Sequence, residues 1–123
     1  MEESWVYPAI PMNLYKIKLF GSEIYAFSQC ADERVHSPVL TGVITPQGVD
    51  ADALRKLIHE RFDLSLGAGL GRLKGRMFRI GHLGDCNDLT LMAALTGVEM
   101  GLKLAGVPLA GSGVLAAMAY FSA

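Results

Sequence analysis

The sequence predicts an α+β domain: a small antiparallel or mixed sheet of about three or four strands, with helices packed on one face. Three observations carry this. Arg76-Met77-Phe78-Arg79-Ile80 alternates charged and apolar side chains, as a half-buried strand does. Leu54, Leu57, Ile58 and Phe62 recur at helical spacing. The stretch Gly67-Ala68-Gly69-Leu70-Gly71 separates two strand-like runs, which predicts an antiparallel pair. A length of 123 residues allows one domain and hardly two.

Residues 1–35 form an irregular, β-rich segment holding Trp5, Tyr7, Tyr15, Phe20, Tyr25 and Phe27. Pro8 and Pro11 argue against a helix at the start. Residues 15–19 alternate as a strand does, 23–28 suit another, and 31–34 read as a polar loop. Residues 39–44 are β-branched and apolar, a strand closed by Thr45-Pro46-Gln47-Gly48. Asp50 stands at an N-cap position, and a helix follows over residues 51–61 with its cations crowded toward the C-terminal half. Residues 64–66 form a short strand leading into the glycines, and residues 76–80 form the next. Asp85 or Asn87 caps a helix that runs to about residue 104. Leu89, Met92, Leu95, Val98 and Leu102 share one side of it. Its polar strip is narrow, Glu99 and Lys103 being spaced for an i,i+4 pair, so the helix is expected to be largely buried. Gly106-Val107-Pro108 stops it, and a last helix covers residues 113–120.

Composition narrows the function. Apolar residues make up 51% and fourteen glycines add to them, above the usual ~45–50% for the two together. That surplus excludes disorder and implies surface meant to be covered by something else. A net charge of −1 excludes a polyelectrolyte footprint, so no nucleic acid is expected. The acidic start Met1-Glu2-Glu3-Ser4 is not a secretory signal. Glu99, Lys103, Pro108 and Gly111-Ser112-Gly113 interrupt the only long apolar run, so no membrane span is expected. Two cysteines, Cys30 and Cys86, make no disulfide framework and point to a reducing, cytoplasmic setting.

Candidate chemistry is sparse. Residues 67–75 resemble a phosphate loop in composition, yet no Lys-Ser or Lys-Thr follows and the next element is a strand. A hairpin connection that needs φ > 0 is the simpler reading. Arg79 lies inside a strand between Phe78 and Ile80. Such an arginine is either a solvated or ion-paired structural residue, or a rigid reader of a planar carboxylate. His36, His59 and His82 lie too far apart for a common zinc site, and no metal is expected. Cys86 has no base near it in sequence, so a structural role is expected of it.

Longer motifs go further. Ser37-Pro38-Val39-Leu40-Thr41 and Thr45-Pro46-Gln47-Gly48-Val49-Asp50-Ala51-Asp52-Ala53-Leu54 are joined by Leu64-Ser65-Leu66-Gly67-Ala68-Gly69-Leu70. Phe78-Arg79-Ile80-Gly81-His82-Leu83-Gly84-Asp85 and Gly97-Val98-Glu99-Met100-Gly101-Leu102 follow. Together they resemble the C-terminal small domain of the serine–glyoxylate aminotransferases, in the class V pyridoxal-phosphate family of fold type I. The resemblance spans residues 37–121 and divides the chain into a poorly matching segment, 1–35, and the small domain, 36–123.

The resemblance implies that Arg79 binds the carboxylate of an amino-acid or 2-oxo-acid substrate, with the 67–71 loop near the mouth of the pocket. Family members are about three times longer, and their large domain carries pyridoxal 5'-phosphate and the lysine that forms a Schiff base with it. Lys16 and Lys18 fall in the non-matching segment, and Lys56, Lys74 and Lys103 match small-domain positions. No catalytic residue and no bound cofactor are therefore expected of this chain alone, which is expected not to transaminate. Its partners are expected to be a substrate carboxylate and either a second copy or a large aminotransferase domain. A free-standing amino- or keto-acid-binding module and a subunit-interaction module stand as alternatives.

Overall fold

A computed structural model describes residues 28–29, 40–81, 86–109 and 111–123. The order is β1 (Ser28–Gln29), β2 (Leu40–Ile44), α1 (Ala51–Phe62), β3 (Gly67–Ala68), β4 (Met77–Gly81), α2 (Asp88–Leu104) and α3 (Gly113–Phe121). The four strands form one sheet in the order β1-β2-β4-β3. Every described pairing is antiparallel, so the expected α+β architecture stands. Apart from β1, the strands and loop expected within residues 1–35 lie outside the described residues.

The core is built where alternation and helical periodicity meet. Val43, Phe78 and Ile80 face Leu54 and Ile58 of α1 and Val98 and Leu102 of α2, with Leu66 closing the cluster. Phe78 is 1% exposed. The helices therefore cover the Phe78–Ile80 face of the sheet, and the pleat sends Met77 and Arg79 to the other face.

Helix ends follow their chemistry. Asp50 accepts from the amides of Asp52 and Ala53 at 2.9 and 3.3 Å. α1 ends one residue later than expected, at Phe62, with Asp63 in the left-handed region at φ 55°. Asn87, rather than Asp85, caps α2, and its side chain and Thr90 form a reciprocal capping box. Asp85 lies outside the described residues. At the other end, Gly106 (φ 78°) lets the amides of Gly106 and Val107 reach back to the carbonyls of Lys103 and Leu102, the Schellman arrangement.

Four expectations need correction. The short strand placed at residues 64–66 pairs instead at Gly67–Ala68. The Leu66 carbonyl accepts from Arg55 Nε at 2.9 Å, so it serves α1 rather than a ladder. β4 is shifted by one, to Met77–Gly81. There the Arg76 carbonyl accepts from the amide and the hydroxyl of Thr45. α2 is less buried than its composition implies: Leu89 is 79% exposed and Leu104 47%. The row that meets α1 and the residues just after it is Gly97, Val98, Gly101 and Leu102: Leu64 occupies the space that a Cβ at Gly97 would fill, and Ile58 of α1 the space at Gly101. Finally, Glu99 does not face solvent beside Lys103. It is 8% exposed, and both its oxygens accept from Ser112 Oγ at 2.9 Å. Oε1 also accepts from the Val114 amide at 3.1 Å, which places a carboxylate at the N-terminus of α3. Among the described residues, no helix is long and apolar enough to cross a membrane.

Candidate functional site

Arg79 is the middle residue of β4 and is half-buried. Its cross-strand partner is Gly42 on β2 and Gly67 on β3. Glycines on both sides leave a side-chain-free trough across the sheet. The arginine lies along that trough toward β3. A Cβ built on Gly67 would stand 3.1 Å from Arg79 Nε, 3.2 Å from its Cβ and 3.4 Å from Nη2.

The head group is oriented by one strong contact. Arg79 Nε donates to the Ala68 carbonyl at 2.7 Å, short for N–H···O and typical of a charge-assisted bond. Such a bond contributes about 1.5–3 kcal/mol. A guanidinium carries five N–H donors, so this one spends a single donor and leaves the Nη1/Nη2 edge. Among the described residues, Arg79 forms no ion pair. An oriented fork with two parallel donors fits a carboxylate bidentately. With Nε engaged, the approach left for a carboxylate is end-on, across Nη1 and Nη2.

The glycine stretch behaves as a hairpin connection. After β3 comes a 3₁₀ turn, Gly71–Leu73, with Gly71 and Gly75 at φ 59° and 77°. The amides of Leu73, Lys74 and Arg76 donate to Leu70, Gly71 and Leu73. Those amides are spent inside the loop rather than aimed outward at a phosphate.

Among the described residues, the other candidates are not gathered around Arg79. His59 shares a shallow cleft of ≈ 200 Å³ with Asp52, Arg55, Lys56, Ser65 and Leu66. Arg55 is committed there to Asp52 at 3.0 Å and to the Leu66 carbonyl. Cys86 is half-buried and accepts from Thr90 Oγ1 at 3.4 Å, beside the α2 cap. No cluster of potential metal ligands occurs among the described residues. His36, His82 and Cys30 lie outside them. Sequence reasoning singled out Arg79 as a candidate but did not identify Gly42 and Gly67 as its cross-strand neighbours. The signal was a glycine inside each strand that flanks β4.

Comparison with known proteins agrees with the motifs. No protein-family model matches the chain. The serine–glyoxylate aminotransferase of Methylorubrum extorquens is 46% identical over 86 residues, 69% of this chain and 21% of that protein. The Arabidopsis thaliana enzyme of the same name is 42% identical over 110 residues, 88% of this chain and 27% of its own length. The chain thus spans about a fifth to a quarter of these relatives. The pyridoxamine–pyruvate aminotransferase of Mesorhizobium loti shares its structure over 89% of this chain and 29% of that one, with TM-score 0.75 and 33% identity. The Bacillus subtilis ureidoglycine–glyoxylate aminotransferase shares the fold, with TM-score 0.79 at 24% identity. The resemblance to the serine–glyoxylate aminotransferases, among the class V pyridoxal-phosphate enzymes, is borne out.

Proposed function

We propose, from this kinship with the class V aminotransferases, that residues 36–123 are the substrate-carboxylate-binding part of an aminotransferase of the serine–glyoxylate type. Arg79 is the residue that holds the carboxylate. The observation that carries this reading is the guanidinium fixed on β4 by the Ala68 carbonyl, with its Nη edge unpaired among the described residues. A fixed positive charge and two parallel donors hold an amino acid or 2-oxo acid by its one invariant group. The α-carbon is thereby placed against whatever adjoins the sheet.

The chain by itself is proposed not to transaminate. Transamination needs an amine nucleophile, an electron sink and a group that moves the α-proton. Pyridoxal 5'-phosphate would supply the sink, but the described residues do not fit it. A nucleophilic lysine is tuned by burial or neighbouring cations, whereas Lys56, Lys74 and Lys103 are all exposed. The cofactor and its lysine are assigned instead to a large aminotransferase domain on which this one docks. The share of the relatives that the chain spans supports this. A second reading, self-association, is favoured by Leu89, Leu115 and Met118, which are 79%, 65% and 51% exposed. Migration as a monomer in size-exclusion runs across a wide concentration range contradicts it. A reducing, cytoplasmic setting suits both readings.

The carboxylate assignment is tested by calorimetry with L-serine and L-alanine. Two charge-assisted hydrogen bonds, less the cost of association, predict a dissociation constant no tighter than roughly millimolar order. Saturable heat that disappears in Arg79→Ala is the expected result. No heat with either amino acid, or the same heat in the variant, contradicts it.

A further inference from the structure

We propose that Gly67 is the positioning residue for Arg79: the side chain missing from this β3 position is what lets the guanidinium lie along β3, bond the Ala68 carbonyl and present its Nη edge. The inference rests on the reading of Arg79 as a carboxylate clamp and explains how the clamp is aimed.

Gly67 is not required by its own backbone. The described glycines with positive φ are Gly48, Gly71, Gly75 and Gly106, and Gly67 is not among them. It sits in a paired strand, where any L-residue fits and β-branched ones are favoured. Glycine there costs about 0.5–1 kcal/mol in chain entropy. The three atoms nearest a Cβ there all belong to Arg79: Nε, Cβ and Nη2. The contrast with Gly69 is direct. A Cβ at Gly69 would strike the Leu73 backbone and come within 2.6 Å of Met77 Cγ, so the fold itself demands that glycine. At Gly67 the demand comes from the arginine. A Cβ there requires the arginine to give by a few tenths of an ångström, and the two methyls of a valine push Nε further from the Ala68 carbonyl.

Gly67→Val tests this, since valine suits a strand and fills the trough. Two readouts are compared in wild type, Gly67→Val, Arg79→Ala and the double variant. The first is the solvent-exchange rate of the Arg79 Nε–Hε proton by NMR. It is expected to rise at least tenfold in Gly67→Val, because the bond to the Ala68 carbonyl is lost. The second is the melting temperature. Gly67→Val is expected to lower it more when Arg79 is present than in the Arg79→Ala background, where the 3.2 Å contact to the Cβ of residue 79 remains. Equal losses in both backgrounds, including failure to fold in both, overturn the proposal, as does an unchanged exchange rate in Gly67→Val. If Gly67→Val fails to fold only beside Arg79, the cycle still supports it, and Gly67→Ala then supplies the exchange measurement. L-Serine separates the two claims. A wild-type chain that ignores L-serine, yet shows the exchange and stability pattern, keeps Gly67 as the positioning residue and removes the carboxylate reading.

Discussion

An arginine on a β-strand starts with its backbone fixed, so the freedom lost on meeting a ligand is confined to its side chain. Arg79 has surrendered part of that too, through the 2.7 Å bond to Ala68. Its replacement by alanine removes no core contact of Phe78 or Ile80, which point the other way. Arg79→Ala is therefore expected to abolish carboxylate binding and, through loss of the bond to the Ala68 carbonyl, to lower the melting temperature by about 5–15 °C without unfolding the core. Circular dichroism on the calorimetry samples checks that. Arg79 was legible in the sequence because a charge in an alternating strand is conspicuous. Gly67 was not, because its role depends on the register that pairs it with Arg79, and register is a non-local property.

At the scale of elements, Gly101 of α2 governs how closely α1 approaches, and Gly97 does the same for Leu64 just beyond it. Ile58 fills the space at Gly101 and is fully buried. Alanine at 101 gains about 1 kcal/mol of helix propensity. It also forces Ile58 to move in a packed core, at a cost of about 1–3 kcal/mol. Gly101→Ala is expected to destabilise on balance, with a lower denaturant midpoint at unchanged m-value. Glu99 joins α2 to α3 in a different way. Glu99→Ala leaves Ser112 and the Val114 amide without this acceptor, which is expected to cost about 1–3 kcal/mol. Amide exchange should quicken in α3 well before it does in α1. The helices were legible from their caps and stop signals. The buried side of α2 was misjudged because periodicity weights large apolar residues, whereas here the contact is made by glycines that admit a neighbour's side chain. Glu99 was misjudged because i,i+4 spacing to Lys103 is visible locally and the partner thirteen residues on is not.

At the scale of the whole molecule, the sheet has helices on the Phe78–Ile80 face and Arg79 on the other, so the main core cluster and the proposed clamp occupy opposite sides of one strand, with buried Met77 on the side of Arg79. That separation lets the clamp be changed without dismantling the fold. The surplus of apolar residues predicts surface that a partner covers, and Leu89, Leu115 and Met118 are exposed large apolar residues that such a partner could cover. Which partner covers it is not written in composition. Because its described lysines, Lys56, Lys74 and Lys103, are exposed, the chain alone is expected to form no lasting imine with pyridoxal 5'-phosphate. Visible absorbance that survives dialysis and disappears on borohydride treatment would contradict that expectation. The clamp itself is tested most directly at its own atoms, by following the Arg79 Nη resonances during parallel titrations with L-serine and L-serine methyl ester. A saturable shift with the free acid and none with the ester is the predicted result. Equal shifts with both, or none with either, would contradict the assignment of Arg79 as the carboxylate-binding residue.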